Sequence, residues 1–161
     1  MKKIITLLLL SSACFVNAQA FKGKGDFKAQ IGASLQSGAN GIFVSGDYGI
    51  GENMSIGVAS TYVLGVSEGE LSDVPFKDKF DMKLRFNANI GNVINIDEKL
   101  DIYPGLNIGL KNFGAHLGAR YFFTNGFGIF TEFGLPLAKY DKNASDANNQ
   151  FMTNFGVSFN L

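Results

Sequence analysis

The sequence has no tryptophan, one cysteine (Cys14), one histidine (His116) and three prolines in 161 residues. Each scarcity closes a route. Cys14 lies within the first twenty residues, so a chain that loses that segment keeps no thiol or disulfide chemistry. A single histidine without cysteine partners does not supply a zinc ligand set. Charge is scarce and balanced: 14 Lys and Arg face 14 Asp and Glu, together 17% of residues, where about 25% is usual for soluble domains. That balance excludes the basic stripe a nucleic-acid partner requires. It is also a poor one for keeping a small soluble protein dispersed. Beyond the first twenty residues no run of about 18 apolar residues occurs, so the sequence holds no transmembrane helix. A chain of this kind that crosses a bilayer must do so as a closed barrel, because lipid cannot satisfy an open sheet edge. The length suits one domain.

The first residues differ from the rest. Lys2 and Lys3 give a positive start, an apolar run follows from Ile4 to Leu10, and it resumes from Ala13 to Val16. Small residues then permit cleavage after Ala18 or after Ala20. This is the pattern of a secretory signal peptide, residues 1–18, leaving a mature domain at 19–161. Lipoprotein processing at Cys14 is the competing reading, but Ser11 stands where such sites want leucine and the apolar stretch continues past the cysteine.

From Gly25 onward the pattern has period two, the mark of strands with one apolar face. Eight such stretches follow: 26–36, 42–50, 54–66, 79–91, 100–111, 115–123, 127–135 and 151–161. The fourth is the clearest. Phe80, Met82, Leu84, Phe86, Ala88 and Ile90 alternate with Asp81, Lys83, Arg85, Asn87, Asn89 and Gly91, and the parity runs on through Ile94 and Ile96 to a turn at 97–99. Pro104 lies on the apolar face of the fifth stretch and lacks a donor, so a bulge or a locally weak ladder is expected there. Turns are expected at 37–41, 51–53, 97–99 and 124–126, and longer polar loops at 67–78 and 136–150.

Alternation alone does not say which face is outside, since a lipocalin-like barrel or a sandwich hides the same apolar face. Composition separates the cases. The apolar face carries no charge, whereas Lys, Arg, Asp, Glu and nearly all strand glycines fall on the other. An eight-stranded barrel is just wide enough for side chains to fill. Bulky residues on every strand would not fit inside, but a face thinned by glycine would. The reading is therefore an all-β, eight-stranded antiparallel up-and-down transmembrane β-barrel, apolar side out. Phe27, Tyr48, Phe123, Phe127 and Phe159 would gather at one rim and Tyr62, Phe80 and Phe151 at the other, as aromatic girdles do at membrane interfaces. The short turns share the N-terminal side and the long loops the opposite one, which is the periplasmic and outer asymmetry of such barrels.

The chain resembles the small outer-membrane β-barrels of the OmpA, OmpX, OmpW and opacity-protein type. The resemblance rests on the architecture from Gly25 to Leu161, on Gly118-Ala119-Arg120-Tyr121-Phe122-Phe123 leading into Glu132-Phe133-Gly134, and on the ending 154–161. In that ending Asn154, Gly156, Phe159 and Leu161 match the spacing of the C-terminal assembly signal, with Leu in place of the usual Phe. The resemblance implies location in the outer membrane with lipid and lipopolysaccharide as surroundings. It also implies periplasmic chaperones and the barrel-assembly machinery as partners during biogenesis.

The polar face carries Lys28, Asp47, Asp81, Lys83, Arg85, Asp101, His116, Arg120 and Glu132. Opposite charges in a narrow lumen must pair, and Arg120 with Glu132, on either side of the 124–126 turn, is the expected pair. This network reads as an ionic plug, with a polar path for small solutes as the alternative. His116 among inward polar groups offers no nucleophile, base and acid set, so no enzyme and no cofactor are expected. Glu68, Glu70, Asp73 and Asp78 could share a divalent cation with lipopolysaccharide, but read better as a solvated loop. The expected function is envelope integrity or surface interaction through loops 67–78 and 136–150. A narrow passive channel or a soluble periplasmic ligand-binding barrel are the alternatives.

Overall fold

The computed structural model describes residues 19–66, 76–141 and 146–161. The expected leader and the acidic loop residues Glu68, Glu70 and Asp73 lie outside the described residues. Eight strands follow one another: β1 (Phe27–Gln36), β2 (Ala39–Gly49), β3 (Met54–Val66), β4 (Phe80–Ala88), β5 (Leu100–Gly109), β6 (Asn112–Phe122), β7 (Phe127–Lys139) and β8 (Met152–Asn160). Each pairs antiparallel with the next, and β8 returns to β1, closing a single sheet. Two single-turn helices, α1 (Phe76–Lys79) and α2 (Gly91–Ile94), sit in the connections before β4 and before β5. The fold is thus the all-β, eight-strand up-and-down barrel that the period-two pattern called for.

Several boundaries differ, for local reasons. The turn expected at 37–41 shrinks to Ser37 and Gly38, with Gly38 at φ 70°, and β2 starts at Ala39. In the β2–β3 ladder the register shifts between Asn40 and Gly41, where Leu64 of β3 is the extra residue. β7 continues to Lys139 through Pro136, which faces Gly114 at the second register shift, one of the few places where a sheet tolerates proline.

The largest departure is at β4. It ends at Ala88, and Ile94 and Ile96 leave the strand for α2 and the turn after it. Consequently the connection on the N-terminal side, residues 89–99, is long instead of short. Pro104 stands at this point of the seam. Leu110 N–H donates to Met82 O and Ile90 N–H donates to Ile102 O, so hydrogen-bonded positions recur every second residue and Ala88 faces Pro104 at one of them. Proline has no N–H to give, and the β4–β5 ladder spans only Lys83–Asn87 against Gly105–Gly109. β5 itself contains no register shift; the weakness expected at Pro104 takes the form of a truncated seam.

The two faces of the sheet are inverted relative to a soluble protein. Leu84, Leu106, Leu117 and Leu135 point outward and are exposed, whereas Lys28, Asp47, Asp101 and Arg120 are buried inside. Strands of 9 to 13 residues match the length of about 9–11 residues that a tilted strand needs to cross a bilayer. Among the described residues no helix is long and apolar enough to cross a membrane.

Candidate functional site

The inward parity of the strands sends the polar residues to the barrel axis. Arg85 of β4 reaches Asp47 of β2 at 3.1 Å and Glu132 of β7 at 2.8 Å. Arg120 of β6 binds Asp101 of β5 at 2.8 Å and lies 3.5 Å from Asp47. Asp47 therefore stands between two guanidinium groups, held by charge and proximity without a well-directed hydrogen bond, and the series Glu132, Arg85, Asp47, Arg120, Asp101 alternates in sign. The Tyr103 ring lies 4.6 Å from the Arg120 guanidinium and 5.6 Å from that of Arg85. Its hydroxyl accepts from Gln30 Nε2 at 3.1 Å. Lys28 pairs with Asp26 at 2.7 Å, and Lys83 lies 3.5 Å from Asp81.

Arg120 and Glu132 do not pair with each other. The β6–β7 ladder sets Arg120 opposite Phe130 and Glu132 opposite Gly118. The hairpin closes with the N–H groups of Phe123 and Thr124 on Phe127 O, and a turn centred on Asn125 sets Arg120 against Phe130, so Glu132 stands two residues out of line with Arg120. Arg85 takes its carboxylates from across the lumen, whereas Arg120 pairs with Asp101, which faces it on the adjacent strand β5.

His116 Nε2 lies 2.7 Å from Asn87 Oδ1 and 3.3 Å from Arg85 Nη2, and Nδ1 lies 3.1 Å from Asn107 Nδ2. Both ring nitrogens are engaged. Two glycines make room for this packing. A Cβ on Gly118 would sit on the Tyr103 ring, and one on Gly105 would strike the His116 imidazole and the Phe86 carbonyl. Apolar rings fill the space beside the charges, with Phe43 and Phe130 at 5.7 Å between centroids.

Both ends of the lumen are covered. At the N-terminal end, Ala20 and Phe21 are buried, Ala20 N–H donates to Glu98 O at 2.7 Å, and Asn92 Nδ2 donates to Phe21 O at 2.9 Å. At the opposite end Asn148 lies inside the mouth. Its backbone N–H donates to Gln36 Oε1 at 2.8 Å, its side chain accepts from Gln36 Nε2 at 2.9 Å, and Asn112 Nδ2 donates to its carbonyl at 3.0 Å. Asp78 lies 3.8 Å from Lys111. Among the described residues no group of three or more His, Cys, Asp or Glu could hold a metal.

The expected lumen residues thus share the barrel interior. Tyr103, Phe43 and Asp26 stand with them and are legible from their parity. The two end covers carry no such signal, because irregular segments have no period. At the rims, Phe27 faces Tyr48, and Phe127 lies 6.4 Å from Phe123 and 5.8 Å from Phe159 between ring centroids. At the other end Tyr62 faces Phe80, and Phe151 stacks on Phe133 at 6.2 Å. In the C-terminal stretch, Asn154 points inward, Gly156 packs against Ile31 and Gly32, Phe159 joins the aromatic rim and Leu161 N–H donates to Phe27 O at 3.0 Å.

Residues 11–161 match DUF6646, a family of unknown function. The chain belongs to that family. No curated protein matches it. Among solved structures it is similar to a chain from work on the de novo design of transmembrane β-barrels, with a TM-score of 0.60 at 10% identity, covering 87% of this chain and 98% of that one. At that identity the likeness is one of fold alone.

Proposed function

We propose that this protein is a non-enzymatic outer-membrane barrel of the OmpA, OmpX, OmpW and opacity-protein type, with a permanently filled lumen. It serves envelope integrity or surface interaction through the connections between β3 and β4 and between β7 and β8. One observation carries this reading: a continuous apolar belt on the outside of a core made of ion pairs. Leu84 is 61% exposed while Arg120 is 1% exposed. Burying a large aliphatic side chain is worth about 1.5–3 kcal/mol, and lipid supplies that burial for the whole belt, whereas water supplies none. The interior argues for a plug over a channel, because Tyr103 lies against both arginines and Phe43 and Phe130 are buried in the lumen with them. In this reading the N-terminal end faces the periplasm, Asn154–Leu161 is the segment that the barrel-assembly machinery reads, and lipid and lipopolysaccharide surround the belt.

The test is heat-modifiability. The mature chain, refolded in detergent, is run on a denaturing gel with and without boiling. Faster migration of the unboiled sample, with a strand-rich circular dichroism spectrum, is expected. Recovery as a soluble monomer without detergent would sink the membrane assignment.

A further inference from the structure

The segment between β4 and β5 exposes three aliphatic residues that belong to no strand: Val93 at 65%, Ile94 at 45% and Ile96 at 67%. They arise where β4 stops short. The N–H groups of Val93 and Ile94 both donate to Ile90 O, at 3.0 Å each, forming one helical turn directly beneath the strand. Positions three and four residues apart share a helix face, so Val93 and Ile94 lie on the side of Ile90. Ile90 in turn continues the outward series Leu84, Phe86, Ala88, and its backbone still pairs with Ile102. On the opposite side of the turn Asn92 bonds to Phe21 O, toward the barrel axis. The turn is therefore amphipathic, with its polar side on the lumen cover and its apolar side facing as the belt faces. Asp97 and Glu98 follow at once and are exposed.

We infer that Val93, Ile94 and Ile96 form an interfacial foot that inserts into the headgroup–acyl boundary of the leaflet at the N-terminal end of the barrel. The occupant of this surface is lipid. The patch is continuous with the lipid-facing belt, and three side chains fall far short of the roughly 800 Å² per partner that a stable protein interface buries. Interfacial apolar turns of this kind seat themselves in the boundary region of a leaflet. The inference rests on the transmembrane reading above and adds an element that lies beyond the strands.

The absence of tryptophan makes the test direct. Single-tryptophan variants Val93→Trp, Ile96→Trp, Leu106→Trp in the belt and Glu52→Trp in another turn at the same end are folded into phosphatidylcholine vesicles. The lipids carry bromine either near the acyl carbonyls or at mid-chain, and the gel shift on boiling verifies that each variant folds. Val93→Trp and Ile96→Trp are expected to show blue-shifted emission and to lose most of their fluorescence to the near-carbonyl bromines. Leu106→Trp should be quenched by brominated lipid as a belt residue, and Glu52→Trp by neither lipid. If the Val93 and Ile96 probes behave like Glu52→Trp while Leu106→Trp is quenched, the foot is wrong and the barrel reading stands. If Leu106→Trp is also unquenched, the transmembrane reading fails and the foot with it.

Discussion

Arg85 is the residue on which most of the interior depends. It neutralises Glu132 and shares Asp47 with Arg120, so its loss leaves Glu132 buried without its paired counter-charge. Removing one partner of a buried pair costs about 3–5 kcal/mol. Arg85→Ala is expected to lower stability by that order in urea titrations of the folded barrel, followed by the gel shift. Arg85→Lys should recover part of the loss, since an ammonium keeps the charge but lacks the fork that serves two carboxylates at once. Gly118 is a second sensitive point. Its missing Cβ is the space that the Tyr103 ring occupies, so Gly118→Ala should cost about 1–3 kcal/mol through overpacking. Tyr103→Leu should make the same substitution nearly neutral, and equal costs in both backgrounds would show that the ring is not the cause.

Among the elements, the β4–β5 seam is the weak one. Its ladder is confined to Lys83–Asn87 and Gly105–Gly109, whereas β2 pairs with β3 from Ala39 to Gly49. Amide hydrogen exchange should be faster for Ala88 to Ile90 and Ile102 to Tyr103 than for any central stretch of β1, β2 or β6. Pro104→Ala restores an N–H opposite the Ala88 carbonyl. If the backbone stays in register, the added hydrogen bond should stabilise by about 0.5–1.5 kcal/mol and slow exchange along the seam. Unchanged exchange would mean that the seam is shortened by α2 and not by the proline. From inside, the seam is braced by Asn89 Nδ2 donating to Asp101 at 2.8 Å.

For the molecule as a whole, an apolar exterior and a filled interior make separate predictions. Leu106→Arg places a charge on the belt, where near the bilayer midplane it costs about 2–4 kcal/mol; a similar cost in vesicles and little cost in a soluble form would separate lipid from water as the surrounding medium. The filled interior predicts silence in planar bilayers. A variant lacking Gln19–Lys22 uncovers one mouth but leaves Tyr103 and the arginine–carboxylate series in place, so it should be silent too. Steady conductance from that variant would make the terminal segment the only barrier and the ionic core a path.

The sequence alone determined the strand count, the order of the strands and the side of the sheet that each residue takes, because a period of two is a local property that a single stretch of chain displays. It likewise determined that the charges share one interior, since bulky apolar residues cannot fit inside eight strands. What only the tertiary structure decided is who meets whom. Arg120 reaches Asp101 and Asp47 in place of Glu132 because the β5–β6 ladder sets Asp101 directly opposite it while the β6–β7 ladder sets Glu132 opposite Gly118. The end of β4 at Ala88 was equally hidden: the parity of Ile90, Ile94 and Ile96 is unbroken in the sequence, and only the structure shows the chain leaving the sheet for α2 opposite Pro104. The covers at both mouths depend on contacts between segments far apart in the chain, such as Phe21 with Asn92 and Gln36 with Asn148, and no local pattern encodes those.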